Sequence, residues 1–163
     1  HSNLAFVGAQ VVAWDPNAWF KAITIDRGGR DGVRPGMPVV SGRGMVGRIV
    51  GVTPHYSKVL LLIDYNSSVD AFVQRTRARG ILAGRSGKMC SFKYVLKNDD
   101  LVQGDIIVTS GMGGVFPKGI PLGLISRAIK IGHDIFQEVE VVPAVDFTKL
   151  EEVVVILTKG RPF

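Results

Sequence analysis

One pattern occurs twice in this chain, as Gly36-Met37-Pro38-Val39-Val40-Ser41-Gly42 and as Gly104-Asp105-Ile106-Ile107-Val108-Thr109-Ser110-Gly111. In each copy a glycine turn leads into a β-branched run that ends at Ser-Gly, which is typical of a short strand between turns. Farther along, Gly47-Arg48-Ile49-Val50 is similar to Gly123-Leu124-Ile125-Ser126, and the second copy contains an insertion of about eight residues, 112–119. An internal repeat of short strands favours two related small β-barrels over one large sandwich.

The rest of the chain is also divided into short strand-like runs. The 20 glycines and 8 prolines among the 163 residues leave little room for helices of about 10–12 residues. Two apolar runs, Val59–Ile63 and Val153–Leu157, have the composition of central strands, and Gln137–Val141 alternates carboxylates with valines. Further strands are predicted at 20–26, 69–74, 80–84, 89–92 and 122–130. Single helical turns are predicted at Asp15–Ala18 and near Asn98–Leu101.

These patterns predict an all-β fold of two small β-barrels with glycine-rich turns and at most one or two short helical turns. We place the first barrel at residues 1–80 and the second at residues 81–163. A strand could instead cross between the barrels, which would make one of them discontinuous in sequence.

Composition excludes several classes of protein. With 46% hydrophobic and 21% charged residues the chain can form a buried core, which excludes intrinsic disorder. No apolar run approaches the roughly 20 residues that cross a bilayer as a helix. The chain starts at His1 rather than Met, so we expect a fragment of a longer protein from which a leader or membrane anchor has been removed.

The net charge of +6 and the pI near 9.7 raise the question of nucleic-acid binding. The densest cationic cluster consists of Arg75, Arg77, Arg79, Arg85 and Lys88. No aromatic ladder, recognition helix or RNP-like motif accompanies this cluster. A solvated strand edge is the favoured interpretation, and a nucleic-acid surface or a surface for an acidic protein partner are the alternatives.

Residue types that often carry out catalysis or bind metals are few in this sequence. Cys90 is the only cysteine, which excludes an internal disulfide and a CxxC site, and its strand-like context predicts a buried, unreactive thiol. The histidines are His1, His55 and His133. His55 and His133 lie in turn-like segments without an HxH or HExxH motif, so we expect surface residues. The turn aspartates that could form a carboxylate cluster are Asp26, Asp31 and Asp64. We expect them instead to accept hydrogen bonds from backbone N–H groups, so we predict no catalytic residue, cofactor or metal site.

The most distinctive motif is the glycine-rich segment 111–123. A phosphate-binding loop leads directly into a helix N-terminus, often through Gly-Lys-Ser/Thr. Here Pro117 and Pro121 lead into a predicted strand, so we interpret the segment as a tight corner in which glycines adopt positive φ. We expect Val115 and Phe116 to hold this corner against the core.

A series of sequence blocks carries a resemblance to a known family. The blocks include Ile25-Asp26-Arg27-Gly28, Leu61-Leu62-Ile63-Asp64-Tyr65-Asn66-Ser67-Ser68-Val69, Arg79-Gly80-Ile81-Leu82-Ala83-Gly84, the loop 113–123 and Pro143-Ala144-Val145-Asp146-Phe147. In this order, and over about residues 10–157, they resemble the bacterial cell-shape protein family MreC. The resemblance implies that each of the two small barrels has six strands, in agreement with the internal repeat.

The resemblance also implies a function. Members of this family carry an N-terminal transmembrane helix and a coiled coil ahead of the β-rich region, which would place this region on the extracytoplasmic, or periplasmic, face of the inner membrane. They are non-catalytic scaffolds of the cell-elongation complex with MreD, RodA, a class B penicillin-binding protein and MreB filaments. They bind the synthase, promote its activity in peptidoglycan synthesis, and can self-associate. The alternative is a basic nucleic-acid-binding β-barrel protein.

The resemblance does not identify the residues that contact a partner. The candidates are Tyr65 after a central strand, Val115 and Phe116 in the glycine-rich loop, and Arg75, Arg77 and Arg79 in the cationic cluster. For Phe116 we favour packing against the core over contact with a partner.

Overall fold

The computed structural model describes residues 4–15, 21–85, 87–114 and 116–158. The strands in these residues are β1 (Ala5–Trp14), β2 (Ala22–Ile25), β3 (Pro38–Ser41), β4 (Gly44–Val52), β5 (Ser57–Leu61), β6 (Ser68–Val73), β7 (Arg79–Gly84), β8 (Cys90–Lys93), β9 (Ile106–Thr109), β10 (Pro121–Ile129), β11 (Glu138–Pro143) and β12 (Glu152–Leu157). Single 3-10 turns occur at Gly29–Asp31, Met112–Gly114 and Phe147–Lys149. Within the described ranges, no helix has the length and apolar character needed to span a bilayer.

The strands form two closed barrels of six strands each. The order around the first barrel is β1-β12-β3-β4-β5-β2, and the order around the second is β10-β11-β8-β7-β6-β9. Because both barrels are closed, each of the described strands has a neighbouring strand on both sides. The predicted all-β fold of two small six-stranded barrels is confirmed.

The two barrels share one strand arrangement. Starting from β3, the first barrel reads β3-β4-β5-β2-β1-β12, and starting from β9, the second reads β9-β10-β11-β8-β7-β6. Strands β1–β5 therefore correspond to β7–β11, and the repeated segments form the corresponding hairpins β3–β4 and β9–β10. The insertion at 112–119 lies in the loop of the second hairpin.

The division of the chain differs from the boundary expected at residue 80. Strands β6 and β7 belong to the second barrel, whereas β12 returns to the first, which is discontinuous in sequence. The register pairs Ala9 of β1 with Val153, and Val39 of β3 with Val155. Strand β12 thus fills the gap between β1 and β3, which would otherwise be two open edges.

Most predicted strands occur within one or two residues of their expected bounds. The run Val59–Ile63 is buried on both faces, although β5 ends at Leu61 because the next residues form a turn. The predicted helical turn near Asn98–Leu101 is wrong. That segment is a hydrogen-bonded turn, in which the side-chain amide of Gln137 donates to the carbonyls of Leu96 and Asp99. The helical turn expected at Asp15–Ala18 extends outside the described residues. Val115 also lies outside them.

The buried apolar side chains of both barrels form one continuous cluster. Cys90 belongs to this cluster, and burial raises the pKa of its thiol to about 12. The prediction of a buried thiol is confirmed, and a pKa this high keeps the sulfur protonated at neutral pH.

Candidate partner-binding surface

The connection between the barrels presents Tyr65 at the surface. Residues 62–67 link β5 to β6, and the Tyr65 residue is 71% exposed. Next to it, Asp64 is buried, with Oδ1 accepting a hydrogen bond from the backbone N–H of Lys21 (2.6 Å). Its Oδ2 accepts from the backbone N–H and the side-chain amide of Asn66 (2.8 and 3.1 Å). Tyr65 therefore projects from a turn whose conformation is fixed by a buried carboxylate.

The other two turn aspartates also bind backbone N–H groups. Asp26 accepts from Gln10 (2.7 Å), and Asp31 accepts from Gly28 (2.9 Å). The prediction that these carboxylates bind backbone groups is confirmed. Among the residues that the structure describes, no group of three or more His, Cys, Asp or Glu side chains is placed to hold a metal ion.

Two close contacts hold the barrels against each other. A Cβ on Gly84 of β7 would lie 1.9 Å from the backbone oxygen of Asp64, so the connection packs directly on the second barrel. A Cβ on Gly44, at the start of β4, would lie 2.5 Å from the backbone oxygen of Pro121 and 3.2 Å from Cβ of Ala144. The hairpin β3–β4 therefore contacts the adjoining ends of β10 and β11.

Arg75 is engaged within the molecule. Its Nε and Nη2 donate to the two carboxylate oxygens of Asp105 (2.8 and 3.0 Å), and Nη1 donates to Asp100 (3.1 Å). These hydrogen bonds lower the pKa of Asp105 and raise the pKa of Arg75. Most of the bonding capacity of this guanidinium is therefore used inside the chain.

Arg77, Arg79 and Lys118 form a cationic surface around Phe72. Arg77 has a φ of +66°, and its guanidinium carbon lies 5.0 Å from the ring centre of Phe72. Nζ of Lys118, from the glycine-rich loop, lies 5.6 Å from the same ring. Arg79 is exposed and lies opposite Phe72 in the register of β6 and β7. Arg85 lies apart from this group, beside Glu140 (3.5 Å).

The glycine-rich loop is a structured corner. Thr109 Oγ1 donates to the carbonyl of Pro117 (2.6 Å) and accepts from the N–H of Ile120 (2.8 Å). Positive φ values occur at the loop glycines Gly111, Gly113, Gly114 and Gly119. Phe116 is partly buried and packs against the core. The segment leads into strand β10, whereas a phosphate-binding loop leads into a helix. This agrees with the interpretation of the segment as a corner.

The two described histidines lie on different barrels. His55 is exposed in the turn between β4 and β5, and His133 is exposed in the loop between β10 and β11. Both are surface residues, as the sequence predicted.

An open cleft of about 1210 Å³ separates parts of the two barrels. Its walls include Trp14, Leu61, Val142 and Phe147, with charged side chains of both signs around them. Sequence patterns gave no signal for this cleft, because its walls come from segments that are far apart in the sequence.

Sequence reasoning also missed two groups of exposed apolar side chains on the second barrel. Ile106, Leu124 and Val142 lie in register across β9, β10 and β11 on the side of the barrel. The second group lies at one end of the barrel, where the loops 94–105 and 130–137 meet. We call it the apolar tip, and its members are Tyr94, Leu96, Ile131 and Ile135. Apolar residues within predicted loops were the available signal for the tip.

Comparison with known proteins gives a consistent result. A family model described as Rod shape-determining protein MreC, barrel core, matches residues 11–157. The Cell shape-determining protein MreC of Caulobacter vibrioides is 40% identical over 120 residues, which are 74% of this chain and 35% of that protein. The chain therefore spans about a third of the length of that relative.

Solved structures show the same fold. A crystal structure of MreC from Pseudomonas aeruginosa superposes with a TM-score of 0.89 at 32% identity, covering 93% of this chain and 98% of that chain. A chain from the complex between a penicillin-binding protein (PBP2) and MreC from Helicobacter pylori superposes with a TM-score of 0.75 at 11% identity. That alignment covers 97% of this chain and 100% of the other.

Proposed function

This chain belongs to the MreC family of rod shape-determining proteins, and we propose on that premise that it is a non-catalytic scaffold of the cell-elongation complex. In this role it binds a class B penicillin-binding protein and promotes its activity in peptidoglycan synthesis and cell-shape maintenance. The observation that carries the proposal is the match of the family model along both barrels, residues 11–157. The complex of PBP2 with MreC from Helicobacter pylori supports this kind of partner, because its MreC has the same two-barrel fold.

The proposal includes a location and further partners. The domain lies on the extracytoplasmic, or periplasmic, face of the inner membrane, and an N-terminal transmembrane helix anchors the full-length protein. MreD, RodA and MreB filaments belong to the same complex, and self-association of the scaffold raises the local concentration of its binding sites.

A binding role agrees with the placement of the chemically reactive side chains. His55 and His133 lie in turns on different barrels, and the turn aspartates are occupied by backbone N–H groups. Exposed aromatic and arginine side chains are the groups that most often dominate the energetics of protein interfaces. Tyr65 and Arg79 are such side chains here, whereas Arg75 is bound to Asp105 and Phe116 packs on the core.

Promotion of synthase activity requires differential binding. A scaffold shifts its partner toward an active conformation only if it binds that conformation more tightly than the resting one. The hydrogen bonds of Asp64 and the close packing at Gly84 hold the two barrels as a preorganised surface, which limits the entropy lost on binding.

The test is a calorimetric titration of this chain with the extracytoplasmic part of its cognate class B penicillin-binding protein. We expect Tyr65→Ala to weaken the complex by about tenfold or more, because an exposed aromatic anchor is removed. We expect Arg79→Glu to weaken it further if the partner surface is acidic, since attraction becomes repulsion.

The matched control is Tyr56→Ala. Tyr56 is also an exposed tyrosine in a turn, but it lies at the far end of β5 from Tyr65. The Tyr56→Ala variant should bind the penicillin-binding protein with an affinity within about twofold of that of the unmodified chain. An unmodified chain that does not bind the synthase at high micromolar concentration would overturn the proposal.

The cationic surface around Phe72 favours a second candidate function, nucleic-acid binding. Arg77, Arg79 and Lys118 lie together there, and the chain carries a net charge of +6. Retention on DNA at physiological ionic strength, with a steep decrease in affinity as salt rises, would support this alternative.

A further inference from the structure

Strand β1 is paired along both sides only in its second half. Residues 5–10 pair with β12, whereas β2 pairs with β1 only from Val11 onward. On the side that faces away from β12, residues 5–9 therefore have no paired strand among the residues that the structure describes. We call this stretch the free edge. An unpaired strand edge is a site at which another extended chain can add.

The backbone groups at the free edge belong to Phe6 and Gly8. Alternate residues of a strand direct their N–H and C=O groups to opposite sides. Gln10 identifies the side that faces away from β12, because its carbonyl accepts from the N–H of Asp26 and its own N–H donates to Oδ1 of Asp26. The groups of Phe6 and Gly8 point to that same side, and none of the described residues forms a hydrogen bond with them.

The free edge lacks the features that commonly prevent strand addition. Natural edge strands are protected by lysine, proline or a β-bulge. The sequence from Leu4 to Ala9 contains no charged residue and no proline, and the register of residues 5–10 with β12 is continuous. In a chain with 21% charged residues, a regular and uncharged edge of this kind indicates a surface that a partner covers.

The outer face of the free edge carries a protruding ring and an empty space two residues apart. The Phe6 residue is 60% exposed. On the same face, a Cβ on Gly8 would have no atom within 4 Å, and Gly8 lines an open groove of about 420 Å³. Val154 and the ion-paired side chains of Asp26 and Arg27 also line this groove. An aromatic side chain of a neighbouring strand can pack over a glycine in this position.

We propose that the free edge pairs with the same edge of a second copy of this chain, antiparallel, with the two Val7 residues opposite each other. This register places Phe6 of each copy opposite Gly8 of the other, and each of these pairs exchanges two backbone hydrogen bonds. The edge is self-complementary, because each copy supplies both a ring and a space for one. An unrelated extended segment would fill the groove but leave Phe6 exposed. The inference rests on the self-association included in the proposed function and assigns a surface to it.

Asp26 limits the length of this contact. It occupies the side of Gln10 that faces away from β12, so the paired segment ends before Gln10 and provides about four backbone hydrogen bonds. A contact of this length is smaller than a standard protein interface, so we expect a Kd on the order of 100 µM for the chain alone. Two copies held in one complex would associate more strongly, because their effective concentration is higher.

The experiment measures self-association of this chain by sedimentation velocity between about 10 µM and about 1 mM. We expect a dimer to form over this range. Phe6→Gly should raise the Kd by about tenfold or more, because the ring that packs over Gly8 is removed. Adding Gly8→Phe to this variant should return the Kd to within about threefold of the unmodified value, because a phenylalanine again lies opposite a glycine.

The matched control combines Phe6→Gly with Val12→Phe. Val12 is 52% exposed on the same strand, in the part that pairs with β2. This double variant also returns a phenylalanine to the exposed face of β1, but outside the free edge, so it should associate as weakly as Phe6→Gly alone. Thermal unfolding checks that each variant is folded.

Amide hydrogen exchange of the unmodified chain gives a second readout that needs no variant. At low concentration the amides of Phe6 and Gly8 should exchange rapidly, because they have no acceptor. At about 1 mM their exchange should become about fivefold slower, since most of the chain is then dimeric at the expected Kd. The amides of Val7 and Ala9 point toward β12 and should stay protected at every concentration.

Three results would overturn the proposal. The chain stays monomeric at about 1 mM, Val12→Phe restores association as well as Gly8→Phe does, or the amides of Phe6 and Gly8 become protected only when the penicillin-binding protein is added. The last result would make the free edge a contact with the synthase. A monomeric chain with an intact synthase titration overturns only the contact between copies, so the two proposals are tested separately.

Discussion

At the scale of single residues, Asp64 organises the connection between the barrels. A buried carboxylate is stable where hydrogen bonds replace its water, and Asp64 accepts from three N–H groups, one of them on Lys21 just before β2. Its backbone oxygen lies so close to β7 that only glycine fits at position 84. Because these hydrogen bonds hold the side chain of Asp64 inside the protein, the next residue, Tyr65, lies on the outside of the turn.

Gly84→Ala should strongly destabilise the protein. The added methyl group would lie 1.9 Å from the oxygen and 2.5 Å from the carbonyl carbon of Asp64, so the connection must move. We expect the free energy of unfolding in urea to fall by about 3 kcal/mol or more. Gly8→Ala is the control, since Gly8 also lies in a strand but has no atom within 4 Å of the added Cβ. A loss of similar size in both variants would contradict the close contact at Gly84.

At the scale of elements, Arg75 ties the β6–β7 hairpin to the loop that precedes β9. Its guanidinium binds the side chains of Asp100 and Asp105, and Asp105 also accepts from the N–H of Val102 (2.9 Å). This ion pair orders the end of the second barrel next to the apolar tip. It also explains why one arginine of the sequence cluster is a structural residue while its neighbours Arg77 and Arg79 cover the surface.

The pH dependence of stability should report this ion pair. The pKa of Asp105 is lowered in the folded state, chiefly by its hydrogen bond with Arg75. Because the pKa of Asp105 is lower in the folded state than the value of about 3.9 in the unfolded chain, its ionised form stabilises the fold. This stabilisation is fully present above about pH 3.9 and is lost as the pH falls through the pKa of the folded state. Asp105→Asn should therefore cost on the order of 1 kcal/mol at pH 7 in urea unfolding.

The difference in the free energy of unfolding between Asp105→Asn and the unmodified chain should become smaller as the pH is lowered below about 4. Asp100→Asn is the control, because the Asp100 side chain is 74% exposed and exposed ion pairs contribute little. If the difference in the free energy of unfolding for Asp105→Asn stays constant across this pH range, the stabilising role of the ion pair between Asp105 and Arg75 is contradicted.

At the scale of the whole molecule, both barrels use one strand arrangement with the sixth strand supplied from different places. The second barrel takes β6 from just before its other strands, whereas the first takes β12 from the far end of the chain. The chain therefore passes through all six strands of the second barrel before β12 completes the first. This connectivity brings adjoining ends of the two barrels together and forms the cleft and the contact at Gly44 between them.

Removal of residues 152–163 should open the first barrel and spare the second. Strands β1 and β3 lose the partner that lies between them, so their backbone amides should exchange with solvent at least about tenfold faster. Amides of β7 and β11 should keep their protection and serve as the internal control. A synthetic peptide of residues 151–158 should restore protection of β1 and β3. Unchanged exchange in β1 after the truncation would contradict the role of β12.

Local sequence was sufficient for the strands, the glycine corners, the buried Cys90, the surface histidines and the aspartates that bind backbone N–H groups. Each of these depends on a few neighbouring residues, through turn geometry, alternation or side-chain reach. Only the folded chain assigned β12 to the first barrel, because an apolar run such as Val153–Leu157 specifies burial but not the strands it pairs with. The same reason applies to the ion pair of Arg75 with Asp105 and to the apolar tip, since both are formed by segments about 30 to 40 residues apart in sequence.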